Sequence, residues 1–163
     1  MKPELREWIW LGNLQGLITR KKVELLRIFD SPAQLYNADA FALAQTGILS
    51  RENINAILSP AARSETDRTI ETLVQQHIDV ITLNDESYPH LLKSICDPPV
   101  CLYVRGKIFN EEPCVGVVGS RKASGYGVSV AKKISSELSQ FHICVVSGMA
   151  RGIDTAAHLG ALQ

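Results

Sequence analysis

Two glycine-rich stretches in the last third of the sequence carry residue types suited to holding phosphate. The first is Gly119-Ser120-Arg121-Lys122-Ala123-Ser124-Gly125-Tyr126-Gly127, and the second is Ser147-Gly148-Met149-Ala150-Arg151-Gly152. Glycines allow a backbone to approach a ligand closely. One arginine in each stretch, Arg121 and Arg151, offers a planar fork of donors that matches phosphate oxygens. Lys122 joins them on charge alone. The formal net charge of the 163-residue chain is zero, but its distribution is uneven. From Pro113 to Ile153 five lysines and arginines (Arg121, Lys122, Lys132, Lys133, Arg151) stand against one acid, Glu137. A solvated helix face accounts for Lys132 and Lys133 equally well.

These stretches need elements to position them. Cys114-Val115-Gly116-Val117-Val118 is an unbroken apolar run, which reads as a parallel strand buried on both faces. Val130, Ile134 and Leu138 recur at helical spacing, and His142 to Val146 reads as a second buried strand. Asp154 is expected to cap a last helix through Ala157 and Leu159. Strand, helix and strand in this order make a right-handed βαβ unit. Both glycine-rich loops then lie at the carboxyl ends of neighbouring strands, the edge where open α/β sheets bind ligands. Each loop opens a helix whose free N–H groups favour an anion.

The ligand class can be narrowed by what the loops lack. A dinucleotide fold would carry G-x-G-x-x-G and an acid at the end of the second strand, and neither is present. There is no G-x-x-x-x-G-K-[ST] phosphate loop. Ser120, Ser147, Asp154 and His158 could be drawn as a hydrolytic set, but no G-x-S-x-G elbow exists. A helix-capping Asp154 with a packed His158 one turn later needs no catalytic role, so no catalytic residue is assigned. Tyr126 is expected to pack beneath its loop rather than to stack on a base. Cys96, Cys101, Cys114 and Cys144 show no metal-ligand spacing; Cys114 and Cys144 sit in apolar runs as small buried hydrophobes. No metal and no cofactor are implied.

The first 60 residues read as helical. Leu5, Trp8 and Ile9 place one apolar stripe on a core. Thr19, Ser31 (before Pro32), Asp39 and Ser50 are expected helix caps, with Gly47 closing one segment and Pro60 stopping another. Thr46-Gly47-Ile48 resembles half of a helix-hairpin-helix, although a turn in a small helical domain explains it more simply. A polar-faced helix is expected from Ser64 to about His77, with Ile70, Leu73 and Val74 inside. Short strands then follow at Ile78–Leu83 and Val100–Val104. The domain boundary is accordingly placed between residues 62 and 63, giving domains 1–62 and 63–163. Hydrophobic residues at 45% and charged residues at 21% describe a globular chain. No apolar run approaches the roughly 18 residues of a membrane span, and no secretory signal is present, so a cytoplasmic location is expected.

Several motifs in fixed order resemble the DprA (Smf) family of DNA-processing proteins. They are Tyr88-Pro89 with Leu91-Leu92, Ile95 before Asp97-Pro98-Pro99, and Leu102-Tyr103 ending in Gly106. They continue through Val118-Gly119-Ser120-Arg121, Tyr126-Gly127, Ser147 to Asp154, Ala157-His158 and Gly160-Ala161-Leu162. The resemblance implies an α/β fold: a sterile-alpha-motif-like or helix-hairpin-helix-like helical domain, then a Rossmann-like parallel sheet. It also implies a non-catalytic protein that binds single-stranded DNA and helps load the RecA recombinase in natural transformation and recombination. By motif position, the implied phosphate contacts are Gly119, Ser120, Arg121, Ser147, Gly148 and Arg151. Family members continue for more than a hundred further residues, so the sheet is expected to be cut short here, leaving apolar faces uncovered. The surfaces for homodimerisation and RecA contact are expected to lie largely in that further part. The competing reading is a Rossmann-like phosphoribohydrolase, whose P-G-G-x-G-T loop this chain lacks.

Overall fold

Local capping chemistry starts most of the N-terminal helices. In the computed structural model, which describes residues 4–108 and 113–163, α1 (Leu5–Asn13) and α2 (Thr19–Ile28) lead into α3 (Pro32–Asn37) and α4 (Ala40–Gln45). The Ser31 hydroxyl accepts from Gln34 N, and the Asp39 carboxylate accepts from Ala42 N. Gly47, at φ 70°, makes the left-handed turn into α5 (Arg51–Leu58). Ser50 and Asn53 form a reciprocal capping box at the start of that helix. Thr19 is not a cap: α2 begins on it, and the preceding Ile18 has no side-chain oxygen to offer.

Pro60 begins a helix rather than simply ending one. Ser59 accepts from Ala62 N, and proline sits at the first helical position of α6 (Pro60–Gln75), where its missing N–H costs nothing. The helix expected from Ser64 thus starts a turn earlier. Its inner face is Thr66 and Leu73, while Val74 is exposed. In α1 the expected single stripe becomes four consecutive buried residues, Trp8, Ile9, Trp10 and Leu11. A helix buried all round is a central one, and α1 packs against α2, α3, α6 and a later strand.

Strands β1 (Asp79–Thr82) and β2 (Cys101–Val104) pair antiparallel, with Asp79 opposite Val104 and Thr82 opposite Cys101. The connection between them contains α7 (His90–Lys93) and is tied down by Tyr88, whose hydroxyl donates to Pro99 O at 2.7 Å. Leu83, Tyr88 and Val100 belong to the same core as Trp10, Leu25, Leu35, Leu43 and Ile57. The Cys101 thiol donates to Trp8 O at 3.0 Å, and the Tyr103 hydroxyl donates to Asn13 Oδ1 at 2.8 Å. Contacts therefore divide the chain into Met1–Asn110 and Glu111–Gln163, whereas the change from helical to mixed pattern suggested a division between residues 62 and 63. The physical reason is that the hairpin completes the helical core instead of founding a new one.

The second unit contains β3 (Cys114–Gly116), α8 (Gly125–Gln140), β4 (Cys144–Val146) and α9 (Ile153–Ala161). β3 and β4 are parallel, with Cys114 opposite Cys144 and Gly116 opposite Val146. The mixed α/β class and the βαβ connection are as expected. α8 and α9 meet through small residues, Ala131 and Ser135 against Ala156, Ala157 and Gly160. A Cβ on Gly160 would fall 2.2 Å from Lys132 O, so only glycine permits this approach. Ile134 consequently faces outward.

The strands are not buried on both faces. Every residue of β3 is exposed, as are Val118 and Val146. Among the described residues each strand has one neighbour, and the helices pack mainly on each other, so the apolar run lacks a cover. Cys114 is likewise exposed rather than buried. Among the described residues no helix is long and apolar enough to cross a membrane.

Candidate functional site

The two glycine-rich loops interlock at the carboxyl end of the parallel pair. Ile153 N donates to Ser120 O at 3.2 Å, and the Ser147 hydroxyl donates to Val117 O at 2.7 Å. Gly152 (φ 84°) abuts the first loop so closely that a Cβ there would lie 2.2 Å from Ser120 O. A Cβ on Gly119 would collide with Ile153 at 2.7 Å. Both glycines thus serve the contact between the loops. Sequence reasoning assigned Gly119 to phosphate and did not single out Gly152 or Ile153, because loop-to-loop approach leaves no periodic signal.

Asp154 does something other than cap. The residue before α9 is Gly152, and Asp154 lies within the first turn, buried, with Oδ2 accepting from Gly148 N at 3.1 Å and Ala150 N at 3.4 Å. The carboxylate folds the second loop around itself and supplies the negative charge that the start of α9 favours. That helix end is therefore not an open anion site. The Gly148 N–H is engaged within the protein, and the Ser147 O–H is directed at the first loop.

The outward-facing groups remain. The Ser120 hydroxyl oxygen accepts from Lys122 N at 3.1 Å, which leaves its O–H to donate outward. Arg121, Lys122 and Arg151 are exposed, and among the described residues no carboxylate pairs with them. At the start of α8 the Ser124 hydroxyl accepts from Gly127 N at 3.1 Å. Tyr126 is 81% exposed rather than packed beneath its loop, and Met149, at φ 53°, is 83% exposed. The geometry separates the predicted residues into an inner set that shapes the loops (Gly119, Ser147, Gly148) and an outer set that presents donors (Ser120, Arg121, Lys122, Arg151).

Of the basic residues flanking the loops, Lys133 lies 3.9 Å from Glu137 one turn on, as a solvated helix face requires. His158 Nε2 is buried without a hydrogen-bond partner among the described residues. It is thus not joined through that atom to Ser120, Ser147 or Asp154. Among the described residues no group of three or more His, Cys, Asp or Glu side chains is placed to hold a metal.

Residues 79–163, just over half of the chain, match the family model described as DNA recombination-mediator protein A. The chain belongs to the DprA/Smf family. The match spans β1 through α9 and includes both loops. A protein Smf from Borreliella burgdorferi is 38% identical over 161 residues, covering 95% of this chain and 48% of that one. A protein Smf from Synechocystis is 28% identical over 161 residues, 96% of this chain and 40% of the relative. The DNA processing protein DprA of Streptococcus pneumoniae is 40% identical over 89 residues, 54% of this chain and 31% of the relative. The X-ray structure of DprA from that organism superposes with a TM-score of 0.59 at 28% identity, covering 100% of this chain and 55% of that one. The chain spans about half or less of the length of these family members.

Proposed function

We propose that this chain binds single-stranded DNA, without catalysis, at the edge formed by its two interlocked loops. In this reading it serves DNA processing in natural transformation and recombination by presenting the strand to RecA. The β3–α8–β4–α9 unit acts as the phosphate-binding edge of a Rossmann-like sheet. The observation that carries the reading is the pair of exposed arginines, Arg121 and Arg151, without a carboxylate partner among the described residues, on two loops hydrogen-bonded to each other. The family description as a recombination mediator points the same way.

The chemistry is sequence-independent. Arg121 and Arg151 contact phosphates through charge-assisted hydrogen bonds, Lys122 adds a point charge, and the Ser120 O–H donates to a phosphate oxygen. The exposed ring of Tyr126 offers a face on which a base stacks, worth about 1–3 kcal/mol in single-strand binders. Asp154, buried and accepting from two backbone amides, holds the second loop in place.

Fluorescence anisotropy with a labelled oligothymidylate tests this. Binding is expected to weaken as salt rises, with a slope of about −0.7 per phosphate contacted. Arg121→Ala and Arg151→Ala are each expected to weaken it and to reduce that slope. Binding unchanged in both variants would refute the site.

A further inference from the structure

A second group of cations, unpaired among the described residues, lies in the helical unit, well separated in sequence from the two loops. Arg20, Val23, Glu24 and Arg27 recur at i, i+3, i+4 and i+7 and so share one face of α2. That face forms one wall of a cleft of about 330 Å³, whose opposite wall is Lys93, Ile95, Cys96 and Pro98. Arg20 and Arg27 are about 10 Å apart along the helix, from its rise of about 1.5 Å per residue. Lys93 reaches the space from the other side.

Three cations thus meet one lining carboxylate, Glu24. Among the described residues none of the three is within an ion pair, and all are exposed. Lys22, on the same helix, is turned inward: its Nζ donates to Gly12 O at 2.7 Å. Asp97, exposed between the lining residues Cys96 and Pro98, adds a second carboxylate beside the cleft. Like-charged groups held around a concavity, in a chain with zero net charge, concentrate a positive potential there. Val23, Ile95 and Pro98 give the same cleft an apolar lining suited to a sugar or the face of a base.

We propose that this cleft is a second binding site for the phosphodiester backbone of a single-stranded nucleic acid, carried by the helical unit alone. Its ligand class is that of the loop site, but none of its residues is shared with that site. Two guanidinium groups spaced along one helix suit successive phosphates of a strand better than one small anion. The volume admits a phosphate with its sugar rather than a duplex.

Cys96 provides a reporter, because its exposed thiol lines the cleft. The rate of Cys96 alkylation by N-ethylmaleimide is followed by mass spectrometry, with and without oligothymidylate. The oligonucleotide is expected to slow the reaction several-fold. This protection is expected to vanish in Arg20→Ala/Arg27→Ala/Lys93→Ala and to persist in Arg121→Ala/Arg151→Ala. The triple variant changes only exposed side chains and is expected to melt with the parent. It is also expected to flatten the salt slope of binding by about 2, at about 0.7 per lost phosphate contact. Absence of protection in the parent, or protection abolished by the loop variant, would overturn the proposal. Equal protection by inorganic phosphate would overturn it too, by reducing the cleft to a small-anion site. Failure of the loop reading alone would leave Cys96 protection intact, so the two outcomes are distinct.

Discussion

In the unit Met1–Asn110 the core is made of large side chains: Trp10, Leu11, Leu25, Leu35, Leu43 and Ile57 are all essentially sealed from solvent. In Glu111–Gln163 the buried hydrophobic residues are alanines, Ala131, Ala156 and Ala157, while Val118, Val146, Met149 and Leu162 are exposed. The first unit is held by burial of large apolar side chains, each worth about 1.5–3 kcal/mol. The second is held by close backbone approach at Gly119, Gly152 and Gly160, and by hydrogen bonds such as those to Asp154. The two glycine-rich loops thus owe their shape to close contacts at glycine rather than to a surrounding core. Their geometry is therefore sensitive to a single methyl group, while the helical unit tolerates surface change and suffers from lost volume.

The largest effect is expected from that lost volume. Trp10→Ala should destabilise the helical unit by about 3–5 kcal/mol, as large-to-small aromatic substitutions in cores do. Chemical denaturation followed by the fluorescence of the remaining Trp8 would measure it. A loss below about 1 kcal/mol would mean that the Trp10 side chain is not the packing centre that its burial implies.

Next comes Gly152→Ala. The added Cβ meets Ser120 O at 2.2 Å, at a φ that L residues rarely adopt, so a cost of about 1–3 kcal/mol is expected. The same change should pull the loops apart, and anisotropy should report weaker oligonucleotide binding. Stability and binding both unchanged would break the contrast drawn between the units.

A smaller effect is expected from pH. Burial pushes the Cys101 thiol from its ordinary value near 9.0 up to about 12, with neighbouring charges acting more weakly. Between those values the unfolded chain releases the proton and the folded chain keeps it, so stability falls as pH rises. The loss at pH 10 is about 1 kcal/mol. Denaturation at pH 8 and pH 10 should show this loss in the parent and a reduced one in Cys101→Ala. An identical alkaline loss in both would assign it elsewhere. Lys22, whose pKa burial lowers, contributes with the opposite sign.

What sequence made legible follows the range of each interaction. Caps act over three residues, and Ser31, Asp39 and Ser50 start helices as read. The parallel pair and both loop positions also followed from local pattern, since apolar runs, glycines and helical spacing all lie within about 40 residues. The apolar run of β3 read as buried on both faces, whereas its exposure matches the expectation of uncovered apolar faces on a short sheet. The contact boundary beyond β2 comes from Leu83, Tyr88 and Val100 joining the core of the helices, which no local period encodes. Asp154 read as a cap because an acid near the start of a helix is what a cap shares with a loop clamp. Of the candidate site, residue identities were visible and their division into inner and outer sets was not, since that depends on which amides and hydroxyls the fold engages.

In the proposed function Arg121 and Arg151 act on one strand from two interlocked loops. The most direct measurement is a double-mutant cycle on oligothymidylate affinity, using Arg121→Ala, Arg151→Ala and both together at several salt concentrations. The account predicts weaker binding in each single variant, and a salt slope reduced by about 1.4 in the double, at about 0.7 per lost contact. A double variant that binds as the parent does, with the same salt slope, would contradict it.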